Sequence, residues 1–93
     1  MGTFHHDRGD LHGITVVVET EGPETWVGRC DTMQDGHIVL LGVERHHAEE
    51  DEVAREAFLR RVAMAGPFPR FDRIVLPLDG VAAVTRLGDL PTS

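Results

Sequence analysis

Short β-branched runs separated by tight turns dominate the first half of this chain. Residues 14–20 form one such run, and the segments 25–33 and 37–45 follow it after short breaks. Asp35-Gly36 suits a hairpin turn, because both residues tolerate the positive φ that two-residue turns need. Links this short join antiparallel neighbours, whereas a parallel crossover needs about a dozen residues or more. The first half therefore predicts a three-stranded antiparallel meander.

A helix follows the third strand. Residues at helical spacing give it one apolar stripe, formed by Ala54, Ala57, Phe58, Val62 and Ala65. The acidic residues at 49–52 suit the N-terminal end of a helix dipole, and the arginines at 60–61 suit its later half. Gly66-Pro67 is a stop signal. The sequence predicts a helix over about 48–65.

Two further strands are expected after a connector, over 74–78 and 81–87. Pro77 cannot donate to a ladder, so the first of them should lie at a sheet edge. The element order predicts a mainly β fold, a small five-stranded and strongly bent barrel with one α-helix inserted between strands 3 and 4. We assign residues 14–88 to this one domain, residues 1–13 to a polar, His-rich N-terminal arm and residues 89–93 to a C-terminal tail.

Composition narrows the classes of function. The 93 residues carry 16 acidic side chains against 9 basic ones, all arginine, for a net charge of −7. This balance disfavours nucleic-acid and membrane binding, which need a cationic surface. Cys30 is the single cysteine, so an intrachain disulfide is excluded and a reducing compartment is expected. With no apolar stretch of membrane-spanning length or signal-peptide character, we expect a cytoplasmic protein.

Four segments cover most of residues 14–88: Val16–Glu19 with Gly22, Trp26–Asp31, Ile38–Leu41 and Ile74–Val84. In this order they resemble the first strand and turn, the second strand, the third strand and the closing pair of the Sm-like (LSm) proteins, which belong to the SH3-like small barrels. In the second of them, Gly28 matches the glycine that lets an Sm sheet bend. The closing pair resembles the end of a PRC-barrel-like domain about as well as it resembles that of an Sm-like protein. A PRC-barrel-like domain is therefore the nearest alternative to the Sm-like assignment.

The resemblance implies an oligomer, because Sm-like proteins build rings by pairing edge strands between neighbours. Alternation independently leaves apolar residues on the outer face of the sheet, and one helix cannot cover them all. We therefore expect a homo-oligomer. Its predicted interface consists of Val17, Val39, Val75, Leu76 and Val84.

The resemblance also implies RNA binding as an alternative function. Residues 31–35 match the composition, though not the spacing, of the Asp-x-x-Met-Asn stretch with which Sm proteins hold RNA bases. Basic residues beside an aromatic one occur in the connector around Phe71. The residues that would contact RNA are Arg29, Asp31, Gln34, Arg70 and Arg73.

Histidines suggest another alternative, a metal- or pH-responsive protein. Neutral imidazole binds zinc, nickel and copper well, and four of the six histidines form the adjacent pairs His5-His6 and His46-His47. Adjacent strand residues point to opposite faces. We therefore expect these side chains to be mainly solvated, and we commit to no metal site.

Catalysis has no support in the sequence. Ser93 is the only serine, Cys30 should be buried and inert beside Trp26, and no glycine-rich phosphate loop is present. We expect a non-enzymatic binding or assembly module without a cofactor. Its partners would be further copies of itself or another protein.

Overall fold

The structure of residues 11–90, a computed structural model, consists of five strands, one α-helix and two short 3₁₀ turns. In chain order the main elements are β1 (Thr15–Thr20), β2 (Glu24–Gln34), β3 (His37–His47), α1 (Arg55–Ala65), β4 (Phe71–Pro77) and β5 (Val81–Arg86). The 3₁₀ turns are Leu78–Gly80 and Leu87–Asp89. Within these residues no helix is long and apolar enough to cross a membrane.

All five strands form one antiparallel sheet in the order β4-β3-β2-β1-β5. The predicted mainly β fold with one helix between strands 3 and 4 is confirmed. β1 pairs with β2 on one side and with β5 on the other, so the last strand lies beside the first. This order leaves β4 and β5 at the two ends of the sheet.

β2 and β3 come very close together at Gly28. The pairing of β2 with β3 shifts register between Val27 and Arg29, where Gly28 lies, and again between Cys30 and Thr32. A Cβ atom at Gly28 would lie 2.9 Å from Val43 Cγ2 and 3.1 Å from the carbonyl oxygen of Leu41. Real Cβ atoms do not tolerate the shorter of these contacts, so β3 can approach β2 this closely only at a glycine. The expectation that Gly28 lets the sheet bend therefore has a steric basis.

Apolar side chains form two clusters on opposite faces of the sheet. The larger lies on the inner face and draws on every strand: Leu11, Val16, Val18, Cys30, Met33, Ile38, Leu40, Val43, Val81 and Val84, with Ile74 and Leu76 packed against them. The smaller lies between the outer face and α1, where Val17 and Val27 contact Phe58 and Val62. The helix therefore covers β1 and β2, although in the sequence it lies between β3 and β4.

The helix begins later than the sequence predicted. It starts at Arg55 rather than near residue 48, and β3 continues to His47. Residues 49–52 belong to a turn, in which the amides of Glu50 and Asp51 donate to the carbonyl oxygen of His47 at 3.3 and 2.9 Å. The acidic run was misread because carboxylates suit a turn that they can cap as well as they suit a helix N-terminus.

Candidate functional site

Three of the five predicted interface residues are buried within the chain: Val17, Val39 and Val84. Val17 lies on the outer face, as predicted, but α1 covers it completely. Val84 was predicted to face outward and instead lies in the inner cluster, 5% exposed. The cause is a register shift in β5: Ala83 pairs with Glu19 and Val81 with Thr20, so Ala82 is an extra residue. Neither valine side chain is available to a second copy.

Val39, Val75 and Leu76 lie along β4 and its neighbour β3. Leu76 packs against the inner cluster, whereas Val39 and Val75 pair across β3 and β4. Val39 is 7% exposed, and Val75 keeps 44% of its surface exposed. Val75 is therefore the residue of the five that offers most apolar surface at an end of the sheet.

The residues considered for RNA binding do not converge. Arg29 and Arg73 lie in one row across three strands, because each pairs with Leu41. Asp31 and Gln34 lie toward the β2–β3 hairpin instead. Arg70 lies one residue before β4, where its amide donates to the carbonyl oxygen of Val43 at 2.8 Å.

The end of the sheet that carries the hairpin is acidic. The amide of Leu78 donates to the carbonyl oxygen of Gly36 at 2.8 Å, which joins the β2–β3 turn to the β4–β5 link. Asp35 and Asp79 occupy these two turns. Neither turn contains an arginine, so this end does not present the positive charge that phosphate binding requires.

The histidine pair at the end of β3 is buried, which corrects the expectation of solvated side chains. His46 is 2% exposed; its Nε2–H donates to the carbonyl oxygen of Val53 at 2.6 Å and its ring stacks on Phe58 at 5.1 Å. Nδ1 of His47 accepts the amides of Glu49 and Glu50, both at 3.2 Å. Among residues 11–90 no group of three His, Cys, Asp or Glu side chains could hold a metal, and His5 and His6 lie outside this range.

An ion pair fixes α1 to the end of β3. Arg61 Nη2 donates to Oε2 of Glu44 at 2.6 Å, and the amide of Phe68 donates to the other oxygen, Oε1, at 2.9 Å. The Arg61 guanidinium carbon lies 5.5 Å from the centre of the Phe58 ring and 4.8 Å from that of Phe68. Hydrogen bonds and two aromatic rings thus hold this guanidinium in place.

A cavity of about 350 Å³ opens beside this ion pair, where the end of β3, the turn after it, α1 and the start of β4 meet. It is lined by Glu44, Arg45, His46, Asp51, Glu52, Val53, Phe58, Arg61, Arg70 and Phe71. Two buried polar atoms of its lining, Nδ1 of His46 and Nη1 of Arg61, have no hydrogen-bond partner among the described residues. No local sequence pattern signals this cavity, because its lining comes from three separate segments, 44–53, 58–61 and 70–71.

Cys30 is fully buried in the inner cluster, as expected. Burial, and secondarily the charge of Asp31, raise the pKa of its thiol above the ordinary value of 9.0. The thiolate therefore forms more readily in the unfolded chain, so stability should fall as the pH rises above about 9.

Urea unfolding between about pH 8 and pH 11 tests this expectation. The chain has no Tyr and no Lys, so Cys30 is the only side chain that titrates in this range. The loss of stability should disappear in Cys30→Val. An equal loss in both proteins would contradict the assignment.

Comparison with solved structures agrees with the architecture above: the chain has an Sm-like fold. Two similar structures are an Sm protein of Pyrococcus abyssii in complex with a uridine heptamer and a heptameric archaeal Sm protein. The first is 18% identical with a TM-score of 0.57, covering 84% of this chain and 89% of that one. The second is 13% identical with a TM-score of 0.56, covering 89% and 94%.

A chain of the NatC complex bound to CoA is also similar, at 15% identity and a TM-score of 0.58, covering 84% of this chain and 80% of that one. The predicted resemblance to Sm-like proteins is thereby confirmed at the level of the fold. No protein-family model matches the sequence, and no curated protein does. At these identities the comparisons establish the fold alone.

Proposed function

We propose that this protein is a non-enzymatic assembly module whose copies join edge to edge into a closed homo-oligomer. The observation that carries the proposal is the strand order, which places β4 at one end of the sheet and β5 at the other. Strands at sheet ends are the usual sites of strand addition. The similarity to a heptameric archaeal Sm protein supports the same arrangement.

Geometry favours a ring over a simple dimer. A contact between β4 of one copy and β5 of the next uses two different surfaces, so one copy keeps a free β5 edge and the other a free β4 edge, to which further copies can add. Such head-to-tail contacts close into a ring when the rotation between copies permits it. The exposed Val75 on β4 would then be covered by the neighbouring copy.

Assembly is proposed in preference to RNA binding because of charge. The net charge of −7 and the acidic turns at the hairpin end oppose a polyanion. The Arg29 and Arg73 row is the feature that best fits RNA, but Asp31 and Gln34 lie apart from it. A buried free Cys30 fits the reducing cytoplasm, where we place the protein.

Light scattering after gel filtration tests the proposal. We expect the wild-type chain to elute as a multiple of its own mass and Val75→Asp to shift toward the monomer, because the change puts a charge where the edge contact excludes water. Met64→Asp is the matched control, since Met64 is 79% exposed and belongs to α1 rather than to either end strand. It should leave the oligomer intact.

Two results would contradict the proposal. One is a monomeric wild-type protein at the concentrations used for gel filtration. The other is an equal response to Val75→Asp and Met64→Asp, which would show that the edge of β4 has no special role. Circular dichroism of both variants separates loss of assembly from loss of folding.

A further inference from the structure

We propose that His47 is a pH-sensitive switch for the acidic turn, residues 49–52, which lies between β3 and α1: the neutral imidazole holds this turn in place, and the protonated imidazole releases it. His47 is the last residue of β3, and its side chain is 11% exposed. One ring nitrogen contacts the turn and the other faces carboxylates. Because imidazole ordinarily changes its charge between about pH 5 and pH 8, these contacts can respond to physiological pH.

The hydrogen bonds of His47 determine which of its nitrogens carries hydrogen. The amides of Glu49 and Glu50 both donate to Nδ1 at 3.2 Å. Since a backbone amide can only donate, Nδ1 offers a lone pair, and the single hydrogen of the neutral ring lies on Nε2. A second proton can therefore bind only at Nδ1. It would remove the lone pair and bring a third N–H group against two others, so both bonds would break.

These two bonds hold the start of the acidic turn. The amide of Glu49 has Nδ1 of His47 as its single acceptor among the described residues. The amide of Glu50 also reaches the carbonyl oxygen of His47 at 3.3 Å, and that of Asp51 donates to this oxygen at 2.9 Å. We therefore expect protonation to expose the amide of Glu49 most, that of Glu50 next and that of Asp51 least.

Carboxylates from two elements face the other nitrogen of the ring. Nε2 lies 4.0 Å from Oε2 of Glu24, the first residue of β2, and 3.9 Å from Oε2 of Glu50. Of the other charged groups nearby, Asp51 accepts the backbone amide of His47 at 2.8 Å, and Arg45 lies 3.6 Å from Oε1 of Glu50. A positively charged ring is attracted to the two facing carboxylates. Protonation thus exchanges two amide bonds for two ionic contacts.

His46 holds the far end of the turn and keeps its contact when it is protonated. Its Nε2 donates to the carbonyl oxygen of Val53 at 2.6 Å, and its ring stacks on Phe58 of α1. Nε2 carries hydrogen in the neutral ring that makes this bond and in the charged ring alike. The two adjacent histidines therefore differ: the bond of His46 survives protonation, whereas those of the His47 side chain do not.

Opening of the turn alters the cavity beside α1, because Asp51 and Glu52 belong to both. Val53 also lines the cavity but stays bound to His46. This wall is thus free to move at one end and fixed at the other. At low pH the switch widens the cavity while α1 keeps its packing on the sheet.

Exchange of amide hydrogens with solvent, followed by nuclear magnetic resonance on the wild-type protein at about pH 8 and about pH 5, tests the proposal. Each rate is compared with that of the unfolded chain at the same pH, which removes the pH dependence of the exchange chemistry itself. We expect the protection of Glu49 and Glu50 to fall at least about 10-fold at the lower pH, since two hydrogen bonds are lost. The amide of Ala48, which donates to the carbonyl oxygen of Pro23 at 2.9 Å, should keep its protection.

Nitrogen chemical shifts of the His47 ring provide a second measurement on the same sample. At about pH 8 we expect Nδ1 to have the shift of a ring nitrogen without hydrogen and Nε2 that of a nitrogen with hydrogen. At about pH 5 both should have the shift of a nitrogen with hydrogen. The loss of amide protection should follow the change at Nδ1 along the pH titration.

A matched pair of variants assigns the effect to His47. His47→Asn keeps a side-chain oxygen that can accept the two amides and removes the group that takes up a proton, so the difference between the two pH values should disappear. His37→Asn makes the same change in the β2–β3 turn, where Nδ1 of His37 contacts the carbonyl oxygen of Asp35 at 2.9 Å. It should leave the pH response of the acidic turn unchanged. If His47→Asn fails to fold, the two wild-type measurements still decide.

Four outcomes would overturn the proposal. They are a hydrogen on Nδ1 of His47 at the higher pH, equal protection of Glu49 at both pH values, an equal loss of protection at Ala48, and a pH response that persists in His47→Asn. The last result would assign the response to the carboxylates or to His46. None of these measurements depends on copy number, so they separate this proposal from that of assembly.

Discussion

Replacing Phe58 by alanine is expected to lower the free energy of unfolding by about 3–5 kcal/mol. Phe58 is 4% exposed and is the large side chain with which α1 contacts Val17 and Val27 of the sheet. Truncation would leave a cavity between helix and sheet and remove the ring on which His46 stacks. A domain of this length has a stability of about 5–14 kcal/mol, so much of it would be lost.

Urea unfolding followed by circular dichroism measures this effect. Met64→Ala, at an exposed position of the same helix, is the control and should change the stability by less than about 0.5 kcal/mol. Phe58→Leu should lose less than Phe58→Ala because it leaves a smaller cavity. Similar losses for Phe58→Ala and Met64→Ala would mean that α1 does not depend on this contact.

Replacing Gly28 by alanine should destabilise the fold by about 2 kcal/mol, although only one methyl group is added. The new carbon would meet Val43 Cγ2 at 2.9 Å and the carbonyl oxygen of Leu41 at 3.1 Å. One of these atoms belongs to the backbone of β3, which cannot move without disturbing its pairing with β2. The strain would therefore act on the bend of the whole sheet.

Gly80→Ala provides the matched control for this prediction. A Cβ atom at Gly80 meets nothing within 4 Å, and its φ is not in the left-handed region. The substitution should be neutral or stabilise the protein by up to about 1 kcal/mol, because alanine restricts the unfolded chain. If both substitutions gave the same change in denaturant midpoint, the close approach at Gly28 would not limit the fold.

Strands and turns were predictable because their signals are local. β-branched runs defined β1 and β3, and Asp35-Gly36 forms the tight turn expected between β2 and β3, with φ of 55° and 75°. Gly66 ends α1 as expected, with φ of 80°. Each of these features depends on one or two residues and needs no information about the rest of the chain.

Errors arose where distant contacts decide the outcome. The extra residue Ala82 reverses the alternation of β5, so Val84 turns inward, and simple alternation cannot show a bulge. The start of α1 was placed too early because His47 organises the acidic turn through its own side chain. The cavity is lined by the ion pair between Glu44 and Arg61, which lie 17 residues apart and which no local pattern brings together.

Pairing of β1 with β5 affects the order in which the protein can fold. Val16 pairs with Arg86, about 70 residues later in the chain. During synthesis β1 can pair with β2 early. Its other edge can pair with β5 only after nearly all of the described domain has left the ribosome. Closing so long a loop is entropically costly. The exposed edge of β1 is therefore where a nascent chain is most open to chaperones or to wrong strand partners.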